Sequence, residues 1–330
     1  MSSMQVAAGQ ICARALGTRH VSPSAKLSGM AANHSARILM TGASGPIGTA
    51  LLSSLATMGA QVTRFVRHAP SGEGQVQWDP DQPLAPESVS GFDAVIHLAG
   101  ETIMGRWTEG KKDKIRNSRV RGTQNLAQAL ARAAQKPRVL VAGSAIGFYG
   151  DRGDEILRED SRSGSGFLPK VCREWEMASQ AAADAGIRTA HIRTGVVLSA
   201  KGGALKQMLP PFKLGLGGRL GSGSQWLSWI HIDDMVGAVH HILKTDSLQG
   251  PVNMVAPKPV TNADFTRVLA SVLSRPAIFP VPTFAMRLAL GQMADEVLLA
   301  SERVDPAKLS ASGYGFQYSD LRPALTSLLH

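Results

Sequence analysis

The chain has 330 residues, 44 % of them hydrophobic and 18 % charged, a balance that suits a folded domain with a real core and excludes a disordered chain. No stretch approaches the roughly 18–20 unbroken apolar residues of a membrane-spanning helix, and two cysteines, Cys12 and Cys172, exclude a disulfide framework or a paired-cysteine metal centre. The net charge of +10 comes with only 5 % aromatic residues and with basic residues spread along the whole chain, so no nucleic-acid partner is required.

The first 36 residues contain no Asp or Glu but carry Arg14, Arg19 and Lys26 among Ala and Ser. Two readings stand. One is an organelle transit peptide, which would send the protein to mitochondria or plastids. The other is an extension or wrong start ahead of Met30, with a cytoplasmic protein behind it. Either way residues 1–35 are set outside the fold.

From Arg37 onward, short apolar runs alternate with amphipathic helical stretches, which predicts a parallel sheet covered by helices. Strands are expected at Arg37–Met40, Gln61–Val66, Ala94–Leu98, Arg138–Ala142 and Thr189–Arg193, and helices at Ile47–Met58, Lys111–Ala134 and Val171–Ala185. Gly59 and Gly186 fall where helix C-caps belong. The fold class is therefore α/β, a Rossmann-type doubly wound parallel sheet over residues 36–200. After Ser199 the glycine-rich stretch Gly215–Gly223 and Pro251, Pro257, Pro259, Pro276, Pro280 and Pro282 suggest a smaller cap over residues 201–330, with 226–256 returning to the sheet.

The first strand runs into Thr41-Gly-Ala-Ser-Gly-Pro-Ile-Gly48, a three-glycine turn that opens a helix. Gly42 permits the tight turn, Gly45 lets backbone approach a pyrophosphate, and Gly48 lets helix and strand pack closely. Ser44, Pro46 and Ile47 belong to the same anion-binding turn, where helix amides and the helix dipole favour negative charge. At the end of the second strand an acidic residue would bind the ribose hydroxyls of NAD, and an arginine the 2′-phosphate of NADP. The sequence has Val66-Arg67-His68 there, with Arg67 19 residues beyond Gly48. NADP is the expected cofactor.

These residues, with His97-Leu-Ala-Gly-Glu-Thr, Arg121-Gly-Thr, Gly147-Phe-Tyr-Gly-Asp-Arg-Gly, Arg193-Thr-Gly-Val-Val-Leu-Ser and Trp229-Ile-His-Ile-Asp-Asp, resemble the extended short-chain dehydrogenase/reductases. More closely, the chain resembles their atypical sugar-nucleotide epimerase-like subgroup, within the NAD-dependent epimerase/dehydratase superfamily, from Arg37 to the C-terminus. The resemblance implies that Leu98, Ala99 and Gly100 pass along the cofactor's ribose and diphosphate. It places Arg119 where an asparagine is usual, within reach of the cofactor, and Val197 near the nicotinamide side. The remaining cations of that basic run, Lys111, Lys112, Lys114, Arg116 and Arg121, are spaced around a helix.

The catalytic signal is weaker. The superfamily's tyrosine transfers a proton, a lysine four residues later lowers its pKa, and a serine orients the substrate. Aligning Phe167 with the tyrosine puts Val171 in the lysine slot, whereas aligning Glu176 with a later glutamate puts Leu168 and Cys172 in the two slots. Neither register holds the dyad. Ser144 is a candidate substrate contact or a polar strand-end residue, and Tyr149 an alternative proton donor or a packed tyrosine. His231, Asp233 and Asp234 read as a helix cap, and no metal site is expected. Arg193, Arg219 and Lys201 are candidate partners for an anionic substrate group. Two functions follow: an NADP-dependent, epimerase-like oxidoreductase acting on a small polar, sugar-nucleotide-like molecule, or a non-catalytic NADP-sensing or assembly protein. A homo-oligomer is compatible with both.

Overall fold

The computed structural model describes residues 35–330; residues 1–34, on which the targeting-or-extension readings fall, lie outside it. The first half alternates strand and helix: β1 (Arg37–Thr41), α1 (Pro46–Thr57), β2 (Gln61–Val66), β3 (Gln75–Gln77), β4 (Ala94–His97), α2 (Glu109–Arg132) and β5 (Val139–Ala145). Then come β6 (Ile156–Leu157), α3 (Phe167–Met177), α4 (Gln180–Asp184), β7 (Arg188–Thr194), β8 (Val196–Leu198) and α5 (Gly203–Lys213). The last part holds β9 (Trp226–Leu227), β10 (Trp229–His231), α6 (Ile232–Lys244), β11 (Gly250–Met254), β12 (Val260–Thr261), α7 (Asn262–Val272), α8 (Thr283–Leu290), β13 (Arg303–Val304), α9 (Ala307–Ala311) and α10 (Leu321–Leu329).

Seven parallel strands form the central sheet in the order β11-β7-β5-β4-β1-β2-β3. The order reverses between β1 and β4, and in such sheets ligands bind in the crevice beyond the strand ends at that reversal. Side chains alternate across the sheet with period two. Ile38, Met40, Ile96, Val141 and Ile192 face α1 and α6, while Leu39, Val95 and Leu140 face α2 with Phe65, Trp78, Leu126 and Leu130. A separate cluster of Leu205, Leu209, Phe212, Trp229, Phe265, Leu269 and Leu325 is the core of the cap.

Two elements depart from the sequence expectation for identifiable reasons. The expected strand Arg138–Ala142 runs on to Ala145, still paired with β7 as far as Ala145 opposite Thr194. Gly143 makes this continuation possible, because a Cβ there would lie 2.7 Å from the Trp175 ring, which covers the strand. The expected helix Val171–Ala185 starts earlier, at Phe167, and divides into α3 and α4. At the break the Ser179 hydroxyl donates to the Glu176 carbonyl and bonds His191 Nε2, offering the backbone a local alternative to the helix.

The tightest crossing lies at the glycine turn. Gly42 has φ +70° and a Cβ there would stand 2.5 Å from the Leu98 carbonyl carbon. A Cβ on Gly48 would overlap the Gly42 carbonyl oxygen and come within 2.8 Å of Ala43 Cα. Replacing Gly48 with Ala is therefore expected to lower the unfolding free energy by about 1–3 kcal/mol through overpacking, read as a lower urea midpoint. An unchanged midpoint would show that the turn relaxes freely.

Candidate functional site

Helix α1 starts with no capping side chain. Its N-cap Gly45 is extended, Pro46 follows at the first helical position, and the first turn carries no acidic residue. The first helical bond joins the Thr49 amide to the Gly45 carbonyl at 2.8 Å, so the Ile47 and Gly48 amides have no partner within the helix. The nearest atom to a Cβ built on Gly45 is the Gly42 carbonyl oxygen, 3.5 Å away, which leaves space above the turn. Amides without a helical partner at a helix N-terminus beneath an open cradle fit the diphosphate of a dinucleotide.

Beside this turn a cleft of about 650 Å³ lies between the ends of β2 and β3 and the face of α2, lined by Arg67, Trp78, Asp81, Glu101, Lys114 and Arg121, among others. Arg67 is exposed and takes part in no ion pair among the described residues. Val66 ends β2 half-buried opposite Gln77. Lys114 and Arg121, read from the sequence only as members of a helix-wrapping basic run, are seven residues apart and so share one helix face. Trp78, also missed, is a buried wall residue whose Nε1 has no partner. Lys111 bonds Glu101 at 2.7 Å and holds its carboxyl below the usual carboxylate range.

The chain after β4 forms the adjoining wall. The Leu98 and Ala99 amides donate to the Thr41 carbonyl and hydroxyl, both at 3.3 Å. Arg119 packs over Gly100, where a Cβ would lie 3.3 Å from its Cζ, and stacks 5.0 Å from the Trp175 ring. Its Nη1 donates to the Glu101 and Ile115 carbonyls, no carboxylate lies in ion-pair range, and burial lowers its pKa. Val197 lies on β8 opposite Ile230, and the loop that follows seats Gly202 against Pro46. Ser44 and Pro46 are exposed at the turn, and Ile47 is half-buried. Thus the glycine turn, Leu98–Gly100 and Arg119 share the rim of the sheet's reversal, with Arg67 at one end and Val197 towards the cap.

Beneath this rim a hydrogen-bonded row couples the elements. Fully buried His97 bonds the Thr41 hydroxyl at 2.7 Å and the Thr123 hydroxyl at 2.9 Å, and Thr123 also accepts from Trp175 Nε1. Burial pulls the His97 pKa down to about 4.

At the end of β5 the candidate chemistry is enclosed. Arg193 pairs with Glu176 through Nε–Oε1 at 2.8 Å and Nη2–Oε2 at 2.9 Å. Ser144 donates to the same Glu176 Oε1 at 2.7 Å. The Tyr149 hydroxyl donates to Asn253 Oδ1 at 2.7 Å and accepts from Arg193 Nη1 at 3.0 Å. Tyr149 is fully buried, and burial pushes its pKa up to about 12. Arg193 is 3 % exposed, which corrects its expected role as a partner for an anionic substrate: its guanidinium is neutralised inside the protein. Lys201 is exposed, and Arg219, whose Nη1 donates to the Ser222 carbonyl, lies apart at the cap. Leu168, Val171 and Cys172 are all buried, and burial raises the Cys172 thiol to about 12, far from a reactive thiolate. His231 caps α6 by accepting from the Asp233 amide, while Asp234 accepts from the Gln317 and Tyr318 amides.

The reversed parallel sheet, the uncapped glycine turn and the cleft that Arg67 borders define a dinucleotide-binding α/β protein. Residues 38–255 match the NAD dependent epimerase/dehydratase family, and the chain belongs to it. Residues 281–328 match a domain of unknown function, DUF1731. An epimerase family protein of Mycobacterium tuberculosis is 39 % identical over 290 residues, covering 87 % of this chain and 96 % of the relative. The Arabidopsis thaliana protein named as a chloroplastic SDR39U1 homolog is 38 % identical over 302 residues, 88 % of this chain and 86 % of its own. The crystal structure of human SDR39U1 with NADPH superposes with a TM-score of 0.82 at 35 % identity, covering 88 % of this chain and 98 % of that one. Among the described residues no helix is long and apolar enough to cross a membrane.

Two measurements probe the enclosed groups. Tyr149→Phe leaves Arg193 and Asn253 each short of a partner, so it is expected to cost about 1–3 kcal/mol of stability in denaturant titration. His97 stays neutral in the folded chain down to about pH 4, whereas the unfolded chain takes up the proton near 6.5. Stability should therefore fall as pH drops from 6.5 towards 4. His97→Gln should reduce that slope, and an unchanged slope would assign the loss to other groups, such as His240, whose burial acts in the same direction.

Proposed function

We propose that the protein binds NADP(H) across the sheet reversal and is an oxidoreductase of epimerase-like type. One observation carries this reading: the end of β2 presents Arg67, with no acidic residue next to it in sequence, to a cleft that also holds Lys114 and Arg121, the latter paired with Asp81 at 3.6 Å. An arginine fork suits a 2′-phosphate, and an acidic residue in its place would repel one. The NADPH of the human relative supports the same choice. In this arrangement the α1 amides hold the diphosphate, Leu98–Gly100 lie along the ribose, and Arg119 adds positive charge behind Gly100. Val197 flanks the nicotinamide side. Bound there, the nicotinamide supplies a hydride donor or acceptor.

A second reading, a non-catalytic NADP-sensing or assembly protein, is favoured by the buried Leu168, Val171 and Cys172 in the dyad slots and by the internal partners of Ser144 and Tyr149. Steady NADPH turnover with any carbonyl compound would exclude it. The acid-free N-terminal segment, together with the chloroplastic relative, supports a transit peptide beside the cytoplasmic alternative. The location of a fluorescent protein fused behind residues 1–35 separates the two.

Titration of the full chain with NADPH and NADH, beside Arg67→Glu, tests the nucleotide reading. NADPH is expected to bind at least tenfold more tightly than NADH, and Arg67→Glu to remove or reverse that preference. Binding of neither nucleotide, or an unchanged preference in the variant, would overturn it.

A further inference from the structure

Across the sheet's edge from the nucleotide cleft lies a second cavity of opposite character. It holds about 370 Å³ between the ends of β5 and β8 and the cap, and Ile146, Val196, Met208, Phe212, Trp226 and Leu298 form its apolar wall. Its volume is within the range of small-molecule sites, which bury apolar surface and orient the ligand with a few polar groups.

The polar side chains on the wall are Gln207, which is exposed, and Gln225, Ser228, Asn262 and Glu302. The Gln225 amide donates to the Leu220 and Leu298 carbonyls. Ser228 donates to the Glu302 carbonyl and accepts from the Val304 amide. Asn262 Oδ1 accepts from the Leu220 amide. Glu302 differs. Its backbone is fixed by Trp226 and Ser228, yet its Oε1 is sealed from solvent with no hydrogen-bond partner, and Glu302 lines the cavity. Among the described residues only Trp78 Nε1 shares that condition.

An unpartnered carboxyl inside an apolar wall avoids the cost of a buried charge by keeping its proton. Burial raises the Glu302 pKa to about 8, and the nearby Asp151 carboxylate adds to the rise. The other groups around it do not reverse this. Cys172, on α3, is held protonated by burial, and Arg303, next along the strand, turns its guanidinium onto the Trp226 ring at 4.4 Å. Asp151 is itself fixed by the Ser301 and Gly153 amides. At neutral pH Glu302 thus keeps its proton and adds an enclosed hydrogen-bond donor to a wall whose other polar side chains are the uncharged Gln207, Gln225, Ser228 and Asn262.

We propose that this cavity binds a small apolar carbonyl compound whose oxygen accepts a hydrogen bond from the protonated Glu302 carboxyl. The site has mainly aliphatic and aromatic walls, a few uncharged polar side chains beside Glu302, and no cation in its lining to meet a phosphate. It therefore favours a hydrophobic ketone or aldehyde over the sugar-nucleotide-like molecule expected from the sequence. The cavity and its donor stand on their own geometry; only the assignment of this ligand as substrate rests on the nucleotide reading above.

The test titrates the full chain with 2-decanone and with n-decane, which lacks the carbonyl, following tryptophan fluorescence and using Trp226→Phe to show that the signal arises in the cavity. At pH 6.5 the ketone is expected to bind about tenfold more tightly than the alkane, the worth of one net hydrogen bond. The advantage should fade as pH rises through about 8. Glu302→Gln, which keeps an N–H donor at every pH, should retain the advantage throughout, and Glu302→Leu should bind both ligands alike. Equal binding of ketone and alkane by the natural protein at pH 6.5 would overturn the proposal, as would a Glu302→Gln profile that still fades near pH 8. So would displacement of the ketone by UDP-glucose. NADPH binding without ketone binding defeats this inference alone; Glu302-dependent ketone binding without NADPH binding defeats the nucleotide reading and leaves the cavity assigned.

Discussion

The ion pair between Arg193 and Glu176 ties α3 to the carboxyl ends of β5 and β7, next to Ile146 on the wall of the apolar cavity. Taking two charges out of water is costly, and attraction repays it only when geometry is good and the remaining polar atoms are satisfied. Here the pair is bidentate, Ser144 adds a bond to Glu176, Tyr149 adds one to Arg193, and the guanidinium lies 3.5 Å from the Phe148 ring centre. The pair fastens α3 to β7, and so presses Trp175 onto Gly143 and Cys172 towards Ala145. Trp175 in turn supports Arg119 behind Gly100. The region where the superfamily usually keeps its proton-transfer dyad is occupied by this framework.

What could be read in the sequence was whatever local backbone constraint imposes. The glycine turn is such a case, because spacing alone decides which residue must lack a Cβ. The offset of Arg67 from Gly48 is another. Lys114 and Arg121 were visible as charges, but a basic run does not say which helix face meets the cleft. The Ser179 break and the extension of β5 past Ala142 depend on His191 and Trp175, which come from other elements. Arg193 looked available for a substrate because its partner, Glu176, lies on a different element and no local pattern joins them. Glu302 belonged to no motif; it acquires meaning only when the cap closes over the end of β5.

The two cavities divide the polar and apolar parts of the site. The cleft by β2 and α2 is lined by charges of both signs, Arg67, Lys114 and Arg121 beside Asp79, Asp81, Glu101 and Asp113. The chamber under the cap is lined mainly by hydrocarbon, with no cation in its wall and Glu302 as its one carboxyl. The row from Thr41 through His97 and Thr123 to Trp175 runs behind the first, where His97 meets the wall residue Trp78 edge-on, and ends on α3. Because burial keeps His97 uncharged at neutral pH, this row is made of neutral hydrogen bonds.

The enclosure of Cys172 gives the molecule a built-in clock. Its thiol is buried on α3 and remains protonated, so it can be alkylated only after the helix lifts from the sheet. With Cys12 replaced by serine, the rate at which this sulfur is trapped by a thiol reagent counts the openings of the framework, and slower trapping marks anything that clamps the helix down.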